Sequence, residues 1–416
     1  MNEFDEEQFD DDSKMRILGV VSIILTLCSA IFIGVYLYTT MQQKTQEIEQ
    51  QQVSIMLVET TATTASFEES TEVSQKAQEE TTTQPTEAKD VLADVVFELP
   101  INGACGYALG EMEVYDRNMG VIGTLKAGQA FVIQGETLDL LIIDYGGETG
   151  YVLKSLSMIN LPDVIPSIIY DNANSYASIL KSGEFDIPGL TGEKLYETYY
   201  ENARLGYKEY VMPCLYYTAE KIAKVQKNCL AQGDCLYLVE AFRPYPTECT
   251  IRTTFSTLLE TNPMAAMGVS NGTWGISWFV SMYLSNHQRG CAVDVSLVKV
   301  TDLGSQTIAG VEVPKVNAYE EYEMQCPLHD MSLAAVLFTA PVASQDPKAW
   351  KSAIYADNVT EATKKLHSYF ADEGMSPLAS EWWHFNDLEA KSFLDQNAMY
   401  GNYYLEENCS RLPEIQ

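Results

Sequence analysis

The hydrophobic pattern begins with one long apolar segment near the N-terminus. Residues 17–38 contain no charged side chain, and as a helix they are long enough to cross a bilayer core of ~30 Å. Lys14 and Arg16 precede this run, and basic flanking residues favour the cytoplasmic side. A cleaved signal peptide is the alternative, although its apolar core is usually only ~7–15 residues long. The pattern predicts a cytoplasmic N-terminus at 1–16, a single transmembrane helix at 17–38 and all later residues outside the cell.

The next segment has no periodic apolar pattern. Residues 39–90 are rich in Gln, Glu and Thr, as in the run at 60–64. Such a composition buries too little apolar surface to offset the entropy lost on folding. We therefore expect a disordered stalk between the membrane and the folded part of the chain.

Residues 91–160 change to short apolar runs separated by glycine-containing turns. Runs of this kind lie at 120–128, 131–133 and 140–143. Short, evenly spaced strands with glycine turns are typical of a small all-β domain. This segment is predicted to form a small β-barrel.

Residues 161–416 mix helical and strand-like patterns. An irregular apolar stripe predicts a largely helical stretch at 193–232, and a second helix is expected at 346–374, where a glycine ends it. Short apolar runs at 235–239 and 292–298 predict strands. Helices packed on a mixed or antiparallel sheet make an α+β domain of about 250 residues.

Composition excludes one class of partner. The chain carries 26 basic against 58 acidic residues, a formal charge of −32. Nucleic acids are bound mainly through lysine and arginine, so no nucleic-acid partner is expected. Most of this charge is interpreted as a means of keeping the protein solvated.

The nine cysteines allow more than one interpretation. Cys28 lies in the apolar N-terminal run, which leaves eight in the segment expected outside the cell. An oxidising compartment permits disulfides among them, but their pairing cannot be read from the sequence. A zinc–cysteine site is disfavoured because no C-x-x-C motif is present.

Two short segments carry side chains suited to a catalytic metal site. His287, Asp294 and His384 supply the three nitrogen or oxygen ligands that a catalytic zinc ion requires, and the chain has only four histidines. Glu381 lies three residues before His384, close enough to act as general base on the attacking water, and on a strand this spacing requires a bulge or turn near the tryptophans at 382 and 383. The glycine at 290 would allow the chain to turn between His287 and the strand that carries Asp294. Arg243 follows an apolar strand, where it would stabilise an oxyanion or bind a substrate carboxylate, unless it forms a surface ion pair.

These residues belong to three motifs that occur in a characteristic order. The chain contains Glu-Ala-Phe-Arg-Pro at 240–244, Ser-x-His-x-x-Gly-x-Ala-x-Asp at 285–294 and Glu-Trp-Trp-His at 381–384. Together they resemble the family of zinc D-alanyl-D-alanine peptidases, which includes the vancomycin-resistance D,D-dipeptidases and the D,D-carboxypeptidases. The resemblance implies the fold of this peptidase family for the α+β domain. It also implies that the two histidines and the aspartate bind one zinc ion. It also implies Glu381 as catalytic base and Arg243 as the residue that stabilises the transition state.

The second and third motifs also contain two candidate substrate-binding residues, Ser285 and Trp383. The paired tryptophans favour the dipeptidase branch, whereas the segment at 324–330 departs from the Met-Gly-x-x-Phe-Asp of the dipeptidases. His329 in that segment is expected to make a structural hydrogen bond, with substrate contact as the alternative. His367, beside two lysines, is expected to be exposed.

A second resemblance concerns the N-terminal β segment. Gly-x-Leu-x-x-Gly at 123–128 and the strand ending in Gly-Tyr-Val at 150–152 resemble bacterial SH3-like domains. Such domains often bind cell-wall peptides, and a role as spacer or docking partner is the alternative.

The combined prediction is a membrane-anchored extracellular zinc metallopeptidase. Its expected substrates are peptidoglycan stem peptides or D-Ala-D-Ala, so either dipeptidase or carboxypeptidase activity fits the motifs. Two other functions stay open. One is a non-catalytic cell-wall-binding protein, and the other is an L,D-carboxypeptidase or endopeptidase that acts on the stem peptides.

Overall fold

A computed structural model describes residues 98–173, 180–270, 272–281 and 284–396. The described residues all belong to one compact unit, Pro85–Gln416. The transmembrane and stalk predictions at 17–38 and 39–90 lie outside the described residues. Within the described ranges, no helix has both the length and the apolar character needed to cross a membrane.

The described elements comprise eighteen strands and six α-helices. The strands are β1 (Cys105–Ala108), β2 (Met112–Tyr115), β3 (Val121–Leu125), β4 (Ala130–Glu136), β5 (Leu140–Tyr145), β6 (Glu148–Leu153), β7 (Ser157–Asn160), β8 (Ile169–Tyr170), β9 (Lys181–Ser182), β10 (Phe185–Asp186), β11 (Tyr199–Asn202), β12 (Tyr207–Tyr210), β13 (Pro213–Leu215), β14 (Asp234–Glu240), β15 (Ala292–Ile308), β16 (Val311–Glu321), β17 (Ser376–Leu378) and β18 (Glu381–Asn386). The helices are α1 (Leu161–Val164), α2 (Tyr216–Ala231), α3 (Tyr245–Thr261), α4 (Pro263–Val269), α5 (Glu361–Asp372) and α6 (Leu388–Gln396).

The N-terminal part is an antiparallel sheet in the order β13-β7-β1-β4-β5-β6-β2-β3. The strands predicted from the runs at 120–128, 131–133 and 140–143 are confirmed as β3, β4 and β5. The sheet does not end at residue 160, because β13 pairs with β7, with Cys214 opposite Ile159. The N-terminal sheet therefore includes one strand, β13, from the segment predicted to be the α+β domain.

The second large sheet has the order β17-β18-β15-β14-β8, with β16 paired to β15. Its only parallel pairing among the described strands is that of β14 with β8, and the others are antiparallel. The α+β prediction is confirmed at this level.

Both faces of this sheet are covered near β18, whose six residues are all buried. Helix α5 packs on one face, where Phe370 stacks on Phe385 with ring centroids 4.1 Å apart. Because side chains alternate along a strand, the neighbouring His384 points to the other face. The candidate site therefore lies on the face of the sheet opposite α5.

Two helix predictions were wrong in their extent. The stretch 193–232 is helical only in α2, and its first half forms the hairpin of β11 and β12, which turns at Gly206 with a φ of +79°. The helix expected from residue 346 begins only at Glu361, where Thr360 caps it by accepting a hydrogen bond from the backbone N–H of Thr363. Its end before Gly374 is confirmed.

The exposed position predicted for His367 was also wrong, because only 4% of this residue is accessible. Its ring packs against those of Phe338, Trp350 and Tyr355, and the Tyr355 hydroxyl lies 2.5 Å from Nδ1. The two adjacent lysines suggested a surface position. His367 is buried because it lies on the face of α5 that packs against the core, where buried residues recur at helical spacing. Burial lowers the pKa of His367 to about 4.

Two cysteines of the core are free thiols. Cys229 and Cys235, the closest pair in sequence, are both buried and are not joined by a disulfide. Burial raises the pKa of Cys235 to about 12, so the thiol is protonated at neutral pH.

The buried imidazole of His367 predicts a loss of stability in mild acid. The unfolded chain binds a proton on this residue below pH ~6.5, whereas the folded chain does not until about pH 4. The contribution is fully present above pH 6.5 and decreases as the pH falls towards 4, by up to roughly 3 kcal/mol. Chemical denaturation at pH 7, 6 and 5 measures it, and His367→Gln should flatten the pH dependence. An equally steep dependence in that variant would contradict the assignment.

Candidate metal centre

The centre is built on the pairing of β15 with β18. These strands are antiparallel, and Asp294 stands directly opposite His384. Opposite residues of an antiparallel pair project their side chains to the same face of the sheet. Two of the three predicted ligands are therefore brought together by the register of the two strands.

The third ligand, His287, is placed by a tight turn just before β15. Gly290 has a φ of +67°, and its backbone N–H donates to the carbonyl of His287 at 3.0 Å. A methyl group at Gly290 would meet the sulfur of Met158 at 3.0 Å and the backbone nitrogen of Leu215 at 3.1 Å. This position combines a left-handed backbone with a close approach, so it requires glycine.

The three predicted ligands form one buried cluster. Nε2 of His287 lies 3.1 Å from Nδ1 of His384, and these nitrogens lie 3.3 Å and 2.9 Å from Oδ1 of Asp294. Tetrahedral zinc ligands at ~2.0–2.1 Å from the ion are about 3.3 Å from one another. The spacing of the three atoms therefore suits a zinc ion between them.

The outer nitrogens of both imidazoles are held by acceptors. Nδ1 of His287 lies 2.8 Å from the Ala241 carbonyl, and Nε2 of His384 lies 3.0 Å from Oδ1 of Asn386. Donation of N–H to these acceptors leaves the inner nitrogens unprotonated, with lone pairs facing one carboxylate oxygen. Three acceptor atoms at such distances repel one another unless a cation or a shared proton lies between them.

Asp294 is fixed from a second side by the fourth histidine. Nε2 of His329 lies 3.3 Å from Oδ2 of Asp294. The structural hydrogen bond expected for His329 is therefore present, and it is made to a candidate ligand. Burial would raise the pKa of Asp294, but the neighbouring histidines hold it well below its usual range.

Glu381 lies at the edge of the cluster, with Oε2 3.8 Å from Nδ1 of His384. The expected irregularity near the two tryptophans is confirmed, because the β17–β18 register jumps from Pro377 opposite Phe385 to Leu378 opposite Glu381. This bulge allows two residues three apart on a strand to approach each other. Burial, and then the charge of Asp294, raises the pKa of Glu381 well above its usual range.

Arg243 is a buried member of the site and not part of a surface ion pair. Its Nε donates to Glu240 at 2.9 Å, its Nη1 donates to Glu248 at 2.7 Å, and its Nη2 lies 3.5 Å from Oδ2 of Asp294. Burial would lower the pKa of Arg243, but the two glutamates raise it well above its usual range. Glu240 and Glu248 were not predicted from the sequence, although Glu240 begins one of the three motifs.

The charges of this buried group do not cancel. Glu240, Glu248 and Asp294 carry three negative charges against one on Arg243. A buried excess of two negative charges is unfavourable without compensation. A divalent cation would neutralise it, so the donor set and the local charge both fit a zinc ion.

The candidate substrate-binding residues and the cluster line the same cavity. This cavity has a volume of about 410 Å³. Oγ of Ser285 accepts a hydrogen bond from the backbone N–H of His287 at 3.2 Å. The indole of Trp383 packs edge-on against His329, with centroids 5.7 Å apart. The structure thus brings together all seven site residues predicted from the sequence.

Comparisons with known proteins add nothing to this geometry. A search against models of known protein families found no match, and a search of curated proteins found none either.

The turn at Gly290 predicts a local cost of substitution. Gly290→Ala should lower stability by about 2 kcal/mol or more and weaken zinc binding, because the left-handed backbone and the contacts with Met158 and Leu215 both resist a methyl group. Gly310→Ala is the matched control, since Gly310 has a φ of +82° with open space around it. Denaturation and zinc titration should show a smaller loss and unchanged zinc affinity for the control. Equal effects in both variants would contradict this account.

The cluster also predicts graded effects on metal binding. His384→Ala should abolish stoichiometric zinc binding because it removes one of three ligand atoms. His329→Gln should weaken binding by about 10–100-fold, since it removes a group that orients the Asp294 carboxylate. Zinc affinity is measured by competition with a chelator, and Lys364→Gln on the exposed side of α5 is the control. Unchanged affinity in His384→Ala would remove this residue from the ligand set.

Proposed function

We propose that the chain is a membrane-anchored, extracellular zinc metallopeptidase that hydrolyses D-Ala-D-Ala bonds in peptidoglycan-derived peptides. The observation that carries the proposal is the convergence of three potential metal-binding atoms, the Glu381 carboxyl group and a fixed guanidinium in one cavity. A metal-binding cluster alone suits many proteins. The addition of a proton-transfer group and an oxyanion-stabilising group is what peptide hydrolysis requires.

In this proposal His287, Asp294 and His384 hold the zinc ion. A bound zinc ion would lower the pKa of a water molecule and polarise the scissile carbonyl. Glu381 takes the proton of the attacking water and passes it to the leaving amine. Burial and the charge of Asp294 raise its pKa, which makes the carboxylate a stronger base towards water and lets the acid so formed hold the proton for the leaving amine.

Arg243 faces the negative charge that develops on the carbonyl oxygen. Glu240 and Glu248 hold its guanidinium in place, so little rearrangement is needed as the charge develops. Ser285 and Trp383 form part of the cavity wall against which the peptide would lie. Burial of these groups strengthens their interactions with the reacting atoms.

The finer assignments rest on the motifs. The resemblance to the zinc D-alanyl-D-alanine peptidases supports their fold for the α+β domain, and the short antiparallel strands between 105 and 160 suit an SH3-like barrel. The apolar run at 17–38 supports a membrane anchor. An extracellular peptidase on such an anchor would encounter stem peptides and the dipeptides released from them.

The function is tested by D-alanine release from the full-length chain. Free D-Ala-D-Ala and a pentapeptide ending in D-Ala-D-Ala are offered, each with zinc and with a chelator. Chelator-sensitive release supports the proposal, and the preferred substrate distinguishes a dipeptidase from a carboxypeptidase. No release from either would favour a wall-binding protein or cleavage of an L,D or crosslinking bond.

Glu381 offers the sharpest single substitution. Glu381→Gln should retain zinc binding but lower kcat/KM by about 10²–10⁴-fold, because the amide cannot accept the proton of water. Glu323→Gln, at an exposed position just after β16, is the matched control and should behave like the parent chain. Full activity in Glu381→Gln would exclude it as the catalytic base.

A further inference from the structure

Two asparagine side chains join the segments that carry the two histidine ligands. Asn286 directly precedes His287 in the turn before β15, and Asn386 follows His384 by two positions on β18. Residues two apart on a strand share a face, so the amide of Asn386 lies beside the imidazole of His384. Nδ2 of Asn286 lies 2.8 Å from Oδ1 of Asn386, and both residues line the cavity of the metal centre.

One atom of Asn386 contacts two polar partners. Its Oδ1 lies 2.8 Å from Nδ2 of Asn286 and 3.0 Å from the outer nitrogen of His384, Nε2. Asn386 is only 3% exposed, so a mismatch of donors and acceptors at this atom is costly. If the carbonyl oxygen occupies this place, both partners must donate; if the amide nitrogen occupies it, both must accept.

The orientation of the Asn386 amide therefore selects the tautomer of His384. With the oxygen in this place, Nε2 of His384 carries the proton and Nδ1 turns a lone pair towards the metal centre. With the nitrogen there, Nε2 accepts, and Nδ1 carries a proton that it donates to Oδ1 of Asp294, 2.9 Å away. A protonated Nδ1 does not bind zinc, so only the first arrangement leaves all three ligand atoms available.

Asn286 is the donor of this pair in the structure. Its backbone is held in place, because its carbonyl accepts a hydrogen bond from the N–H of Cys291 at 3.1 Å and so closes the turn around His287. We propose that Asn286 and Asn386 are positioning residues that hold His384 in its zinc-binding tautomer. The inference concerns the metal and not the substrate, so it does not depend on the hydrolysis of D-Ala-D-Ala.

Two substitutions that add the same charge test this relay. Asn386→Asp keeps an acceptor beside His384 and cannot turn to present a donor, so zinc affinity should rise by about tenfold. Asn286→Asp presents an acceptor to Asn386, which then turns its amide nitrogen towards both partners. The proton of His384 moves to Nδ1, and zinc affinity should fall by about 100-fold. Competition with a chelator, using the full-length chain at neutral pH, measures both affinities.

The opposite signs of these two effects separate the relay from simpler explanations. A carboxylate added close to a cation would, by its charge alone, tighten zinc binding in both variants. A purely structural role of the two asparagines would weaken zinc binding in both, because each substitution disturbs the same contact. Changes of zinc affinity in the same direction in the two variants would therefore overturn the proposal.

Asn286→Ala separates the loss of a donor from the gain of an acceptor. In this variant Asn386 still presents its oxygen to His384, so zinc affinity should fall by less than about tenfold. Equal zinc affinities of the folded Asn286→Asp and Asn286→Ala variants would contradict the relay. If Asn286→Asp does not fold, Asn386→Asp decides alone, and unchanged or weaker zinc binding in that variant would overturn the proposal.

Discussion

The structure depends on the register in which β15 and β18 pair. That register sets Asp294 opposite His384 on one face, while Val293 and Phe385 point to the other face, towards α5. A shift of β18 by one residue would turn His384 away from Asp294 into the helix-covered core and move Phe385 out of that core. Hydrophobic packing against α5 therefore positions the candidate metal centre, although no residue of that helix belongs to it.

Buried charge is the second constraint on the site. The carboxylates around Arg243 outnumber it, and the inner nitrogens of two imidazoles face the same carboxylate oxygen. A cation or a shared proton among its members would stabilise such a group. Glu381 adjoins the group, and burial together with the charge of Asp294 raises its pKa, so the arrangement that favours a metal ion also tunes the proposed acid–base residue.

Much of the site was predictable because motif spacing reports local geometry. The approach of Glu381 to His384 on a strand required a bulge, and the glycine at 290 indicated a tight turn. Contacts between distant segments were not predictable: Glu248, the carbonyl of Ala241 and Asn386 come from separate elements, and only the fold shows that they meet. Tertiary pairing likewise overrode local preference at β11 and β12, where an apolar stripe resembled a helix.

The central claim is that His287, Asp294 and His384 hold zinc. X-ray absorption at the zinc edge of the full-length chain, reconstituted with one equivalent of the metal, tests it most directly. The account predicts nitrogen and oxygen neighbours at about 2.0–2.1 Å, an imidazole contribution from two histidines, and no sulfur. Sulfur neighbours at about 2.3 Å, or a spectrum without imidazole, would place the metal elsewhere and contradict the account.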